Sequence, residues 1–178
     1  MWSSKSVASG AADQRELAVP VELSSTDVTA RRWQLLAVSL LVIVIDQISK
    51  AWAVSALPGN QIDGPFGSSL RLIFNRGSAF SLGEGFGPVF GILAIIVSIA
   101  MVWIVRKVEQ RSVVTGLGLI QGGAIGNVID RAFRDGDGFL AGAVIDFLEI
   151  GDWWPVFNIA DVAIVVGGIV VAILGSRE

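Results

Sequence analysis

Val144-Ile-Asp-Phe-Leu-Glu-Ile-Gly-Asp-Trp-Trp-Pro-Val-Phe-Asn-Ile-Ala-Asp161 is the stretch on which the rest of the chain turns. It carries two carboxylates, Asp146 and Asp161, on either side of a Trp-rich segment, and it runs directly into a long apolar sequence. Asp161 lies inside the run Phe157 to Gly175, which holds no other charge. An ionisable group within a membrane span is costly unless it is paired or used, so Asp161 is a functional candidate by default.

Composition agrees with a membrane setting. Of the 178 residues 53% are hydrophobic and only 16% charged, with a mean hydropathy of +0.68. The net charge of -3 comes with no basic patch, so nucleic acid is not an expected partner. The chain has neither His nor Cys, which excludes Ser-His and Cys-His nucleophiles, disulfides, thiolate metal sites and the usual His-bearing zinc catalysts. Hydrolysis on this chain falls to carboxylates or to a Ser-Lys pair. Ser49 and Lys50 are adjacent, but consecutive helical positions point about 100° apart and do not face each other. Asp135-Gly-Asp-Gly138 lacks the remaining ligands of a calcium loop. No metal or cofactor is expected.

Working outward, the spacing predicts an all-α membrane protein, a four-transmembrane-helix bundle with a small extracytoplasmic β element. The spans are expected at about 33–57, 88–105, 113–129 and 157–175. Residues 1–30 read as a disordered cytoplasmic tail, leaving 31–178 as the membrane domain. Ala51-Trp52-Ala53 has the small-x-small form of a signal-peptide cleavage site, but the apolar segment begins too far from Met1 and carries an internal acid. Arg106, Lys107 and Arg111 mark a cytoplasmic turn, so the positive-inside rule puts both termini in the cytoplasm and both long loops outside. Ser69 to Asn75 alternates as a short strand, with a turn at Arg76-Gly77-Ser78.

At about 1.5 Å per residue, Asp46 and Asn127 lie about 21 and 22 Å from the cytoplasmic ends of their spans, and Asp161 about 10 Å below the outer boundary. All three converge on the outer third of the bilayer. Asp146 and Asp161 then form a candidate dyad: two acids held close share a proton, one accepting from water while the other donates to a carbonyl. Asn158 lies three residues before Asp161 and is expected on the same face, as a helix-start residue or as support for the dyad. Asn127 and Arg131 share a face four residues apart, aimed at substrate or dyad. Asp130-Arg131 also reads as a boundary charge cluster. Gly118, Gly122 and Gly126 repeat at the spacing of close helix packing. Asp46 and Lys50, at i and i+4, are expected as a structural pair with Lys50 snorkelling outward. A small proton-coupled transporter is the alternative, disfavoured because its acids would lie at the midplane and within an internal repeat.

Five motifs in order, DQISK (46–50), NRGSAF (75–80), GGAIGNVIDR (122–131), VIDF (144–147) and FNIAD (157–161), resemble the bacterial lipoprotein signal peptidase family, the type II signal peptidases. The resemblance implies a membrane aspartyl endopeptidase of the bacterial cytoplasmic membrane. Such an enzyme would cleave lipid-modified prolipoproteins before a diacylglyceryl-modified Cys, near the outer face, and would be a monomer among membrane lipids. It implies Asp146 and Asp161 as the catalytic pair, and Asn75, Gly77, Asn127, Arg131 and Asn158 as substrate-binding or dyad-supporting residues. Asp46 and Lys50 would shape the pocket or stabilise the bundle. Residues 59–87 would cradle the peptide and Phe139 to Trp154 close over it as a lid. Val162 departs from the small hydroxyl residue common after FNIAD, and residues 1–30 lie outside the motifs.

Overall fold

The computed structural model describes residues 24–77, 86–151 and 153–176. Four helices and three strands follow one another: α1 (Ser25–Ala56), β1 (Gln61–Asp63), β2 (Ser68–Asn75), α2 (Gly87–Ile104), α3 (Arg111–Phe133), β3 (Val144–Ile150) and α4 (Ile159–Gly175). Three helical segments, Ser25–Ala56, Gly87–Lys107 and Arg111–Phe133, are long and apolar enough to cross a membrane. The fourth, α4, is shorter at 17 residues.

α1 begins earlier than the sequence reading placed it. Residues 25–30 were assigned to the tail, but Ser24 caps the helix by accepting from the Asp27 N–H at 3.2 Å, and Asp27 places negative charge on its first turn. Only residues 1–23 of that tail lie outside the described residues, together with Ser78 to Phe80 of NRGSAF.

The helices pack through α3, whose glycines let neighbouring backbones approach. A Cβ at Gly122 would lie 2.7 Å from the Ser39 carbonyl oxygen of α1, and one at Gly123 would lie 2.3 Å from the Ala160 carbonyl oxygen of α4. Neither space admits a side chain, as expected for small-residue packing in a membrane. On one side of this seam Leu35, Met101, Val105, Val114 and Leu117 form an apolar core. In the bundle interior Ser39 Oγ donates to Gln121 Oε1 at 2.8 Å and Gln121 Nε2 to the Ser98 carbonyl at 2.8 Å, tying α1, α3 and α2. The outward faces are left to lipid: Leu40, Ile48, Ile96 and Trp103 are exposed.

The strands form an antiparallel sheet in the order β1-β2-β3. β2 begins one residue before the predicted strand. β3 was not anticipated, and it changes the reading of the Phe139 to Trp154 segment. Leu140 is buried, its side chain closing on Gly91, and Val144–Ile150 pairs along β2 with Ile73 opposite Asp146 and Asn75 opposite Val144. Ladder hydrogen bonds make Val144–Ile150 part of the scaffold instead of a free lid. A register irregularity between Leu70 and Ile73 bends the pair. One face of β3 packs Ile145 and Phe147 against Ala53 and Leu57 at the end of α1. The other face presents Asp146.

Candidate active site

Each carboxylate is placed by a different kind of element. Asp146 is fixed by the β2–β3 register, and Asp161 by the first turn of α4. Asn158 is the N-cap of α4 and not a residue within it: its Oδ1 accepts from the Asp161 N–H at 3.0 Å, while Asp161 Oδ2 accepts from the Asn158 N–H at 3.1 Å. This reciprocal capping box orients both side chains.

The capping role leaves the Asn158 Nδ2 hydrogens free for the site. One is donated to Asp146 Oδ1 at 2.7 Å and the other to Asn127 Oδ1 at 3.1 Å. Asn75 Nδ2 donates to Asp146 Oδ2 at 2.9 Å, and Asn127 Nδ2 to Asp161 Oδ1 at 3.0 Å. Each of the four carboxylate oxygens therefore takes one N–H, every one of them from a neutral amide. Burial pushes the Asp146 carboxyl up to about 6. The Asn75 and Asn158 donors oppose the rise and the Asp161 charge adds to it.

Asn75, Gly77, Asn127, Arg131, Asp146 and Asp161 all line one cavity of about 670 Å³. Its remaining walls are apolar, from Phe90, Gly91 and Ala94 on α2 to Ile164 and Val165 on α4. Gly77 N–H is held by Asn75 Oδ1 at 3.0 Å, and Arg131 Nη2 donates to the Gly77 carbonyl at 2.7 Å, so the two motifs after β2 and along α3 are locked together. Arg131 Nη1 is buried and has no hydrogen-bond partner among the described residues.

Asp46 and Lys50 stand behind this cavity. Lys50 does not snorkel outward: it is fully buried, with Nζ 2.8 Å from Asp46 Oδ2 and 2.8 Å from Asp130 Oδ2. Asp130 is a site residue that the sequence reading left as half of a boundary pair. Its carboxylate also takes Arg134 Nε at 2.7 Å and the Ile145 N–H at 3.2 Å, so it anchors β3 next to Asp146. The i, i+4 spacing of Asp130 and Arg134 was the available signal. Asp46 Oδ1 accepts from the Ala160 N–H at 3.0 Å, at the start of α4. The cluster pairs two carboxylates with two cations and braces the elements that carry Asp146 and Asp161.

Comparison with known proteins agrees with the architecture. The family model described as Signal peptidase (SPase) II matches residues 38–176. The lipoprotein signal peptidase of Mycobacterium tuberculosis (strain ATCC 25618 / H37Rv) is 41% identical over 142 residues, covering 79% of this chain and 69% of that protein. That of Syntrophomonas wolfei is 45% identical over 150 residues, covering 78% of this chain and 93% of its own. A solved bacterial membrane enzyme, obtained by the in meso method at 2.3 Å resolution, superposes with a TM-score of 0.70 at 27% identity over 80% of this chain and 87% of that chain. A second, at 1.9 Å resolution, gives 0.68 at 28% identity over 81% and 93%.

Proposed function

The chain belongs to the signal peptidase II family, membrane-embedded aspartic-type proteases that remove signal peptides from prolipoproteins, and on that premise we propose that Asp146 and Asp161 are its catalytic pair. The observation that carries the assignment is the shared amide cage: Asn158 bonds both carboxylates, and both line the polar end of one apolar cavity.

The pair holds a single proton. The ionised member accepts a proton from water as the water oxygen bonds to the scissile carbonyl carbon, and the protonated member donates to the carbonyl oxygen. Collapse of the resulting diol breaks the C–N bond and returns a proton to the leaving amine. Arg131 Nη1, buried at the cavity wall with a vacant donor, hydrogen-bonds a substrate carbonyl; Asn75 and the Gly77 backbone fix the strand edge beside it. The apolar walls receive the acyl chains of a diacylglyceryl-modified Cys, with the scissile bond immediately before that residue. The basic Arg106 to Arg111 connection supports a topology with both termini in the cytoplasm and the cavity near the outer face.

Asp146→Asn and Asp161→Asn are each expected to abolish cleavage of a lipid-modified preprotein, by about 10⁴-fold or more in kcat, in protein that remains folded in detergent. Retained cleavage in either variant removes the dyad.

A further inference from the structure

Asn127 has its side-chain orientation set by two donors on its oxygen, one of them a buried ammonium. Its Oδ1 faces Lys50 Nζ at 2.9 Å and Asn158 Nδ2 at 3.1 Å, and its Nδ2 faces Asp161 Oδ1 at 3.0 Å. An ammonium has three donors and no acceptor, so a flipped carboxamide would set its NH₂ against Lys50 and its oxygen against a carboxylate. Lys50 is fully buried and cannot turn away. Two of its hydrogens go to Asp46 and Asp130, and the third to Asn127.

This reaches beyond bracing the bundle. Building on the dyad reading above, we propose that Lys50 is a positioning residue. Together with Asn158 Nδ2 it grips the Asn127 carboxamide oxygen and turns the Asn127 NH₂ onto Asp161, which keeps Asp161 as the carboxylate of the pair and leaves the shared proton on Asp146. Asp161 therefore takes the proton from water and Asp146 donates to the carbonyl.

The surroundings agree with that polarity. Asp161 sits in the first turn of α4, where the helix terminus favours negative charge, and it accepts an N–H from an amide polarised by an ammonium. Asp146 lies on a strand with only neutral amide donors, and its carboxyl is pushed up to about 6 by burial. Among the described residues, the charged groups on the elements packed around the pair are Lys50 and Asp46 from α1, and Asp130, Arg131 and Arg134 from α3. α2 brings none, and Glu149 of β3 is engaged by Ser69 and Arg71.

Removing Lys50 alone would leave two buried carboxylates against one cation, so the test uses Asp46→Asn/Lys50→Met in the full chain. That double variant leaves Asp130 paired with Arg134 and still offers the Ala160 N–H an amide oxygen. With a synthetic lipid-modified preprotein as probe, kcat is expected to fall about 100-fold with KM within about twofold of the unaltered protein. Unchanged kcat in a folded double variant, or a loss carried by KM instead of kcat, overturns the proposal. Asp161→Asn assayed in parallel separates the readings: activity retained there removes the dyad itself, whereas inactivity there with an unaffected double variant removes only the role of Lys50.

A second measurement does not depend on the double variant folding. Infrared spectra taken well below pH about 6 report the protonated carboxyl stretch of the pair. The band is expected to vanish in Asp146→Asn and to persist in Asp161→Asn; the reverse pattern overturns the assignment.

Discussion

Two pairs of carboxylates lie within one bundle and are treated in opposite ways. Asp46 and Asp130 are bound by Lys50 and Arg134, cations that match them charge for charge. Asp146 and Asp161 are bound only by Asn75, Asn127, Asn158 and the α4 terminus, donors that carry no charge. A carboxylate paired with a buried cation is tied to that partner, because losing either charge would strand the other. One held by amides stays able to take and release a proton. The difference separates a pair built to hold the fold from a pair built to react.

The sharpest way to break that contrast is to remove one member of each pair and compare what is lost. Asp161→Asn is expected to lose about 10⁴-fold or more in kcat with little change in melting temperature. Lys50→Met alone is expected to destabilise the protein by about 3–5 kcal/mol, since Asp46 and Asp130 would be left with too little positive charge, and the measurement is thermal unfolding in detergent. Similar melting temperatures for these two variants would erase the distinction between the pairs.

A smaller effect sharpens it through pH. The Asp146 carboxyl is raised from 3.8 to about 6, so the native state holds this proton more tightly than the unfolded chain does. The resulting penalty on stability is absent below pH about 3.8, grows as pH rises, and is complete above about 6. Asp146→Asn removes it and is expected to gain on the order of 3 kcal/mol relative to the unaltered protein above that pH and nothing at the acid end. The alkaline limb of kcat/KM, which reports the free enzyme, is expected near pH about 6 for the same reason. The smallest effect belongs to the Arg71–Glu149 pair on the sheet. Ser69 and Arg71 hold the Glu149 carboxyl below the usual range, yet Arg71 is 44% exposed, and Arg71→Ala is expected to cost less than about 1 kcal/mol.

The parts legible in the sequence are those where one residue's environment is set by its own neighbours along the chain. Uninterrupted apolar runs locate the helices, the Gly118, Gly122 and Gly126 repeat marks the packing seam, and an acid inside the Phe157 to Gly175 run singles out Asp161. β3 was hidden because both its faces are covered, one by α1 and one by the cavity wall, so Val144 to Phe147 shows no alternation of apolar and polar residues. Lys50 was misplaced for a related reason. A lysine near a helix end reads as reaching for water unless its second acid is known, and Asp130 lies 80 positions away in the chain. Asp130 itself looked like a boundary charge because its partners Lys50 and the Ile145 N–H come from α1 and β3.

The brevity of α4 has a consequence for the bilayer. Its 17 residues span about 26 Å against a hydrocarbon thickness of roughly 30 Å, while the 32-residue α1 is about 48 Å long. A stretch too short for its surroundings draws the leaflets together, at fractions of a kcal/mol per Å of mismatch. Lipid beside α4 is therefore expected to be locally pinched, and turnover to slow as the acyl chains of a reconstituted membrane are lengthened.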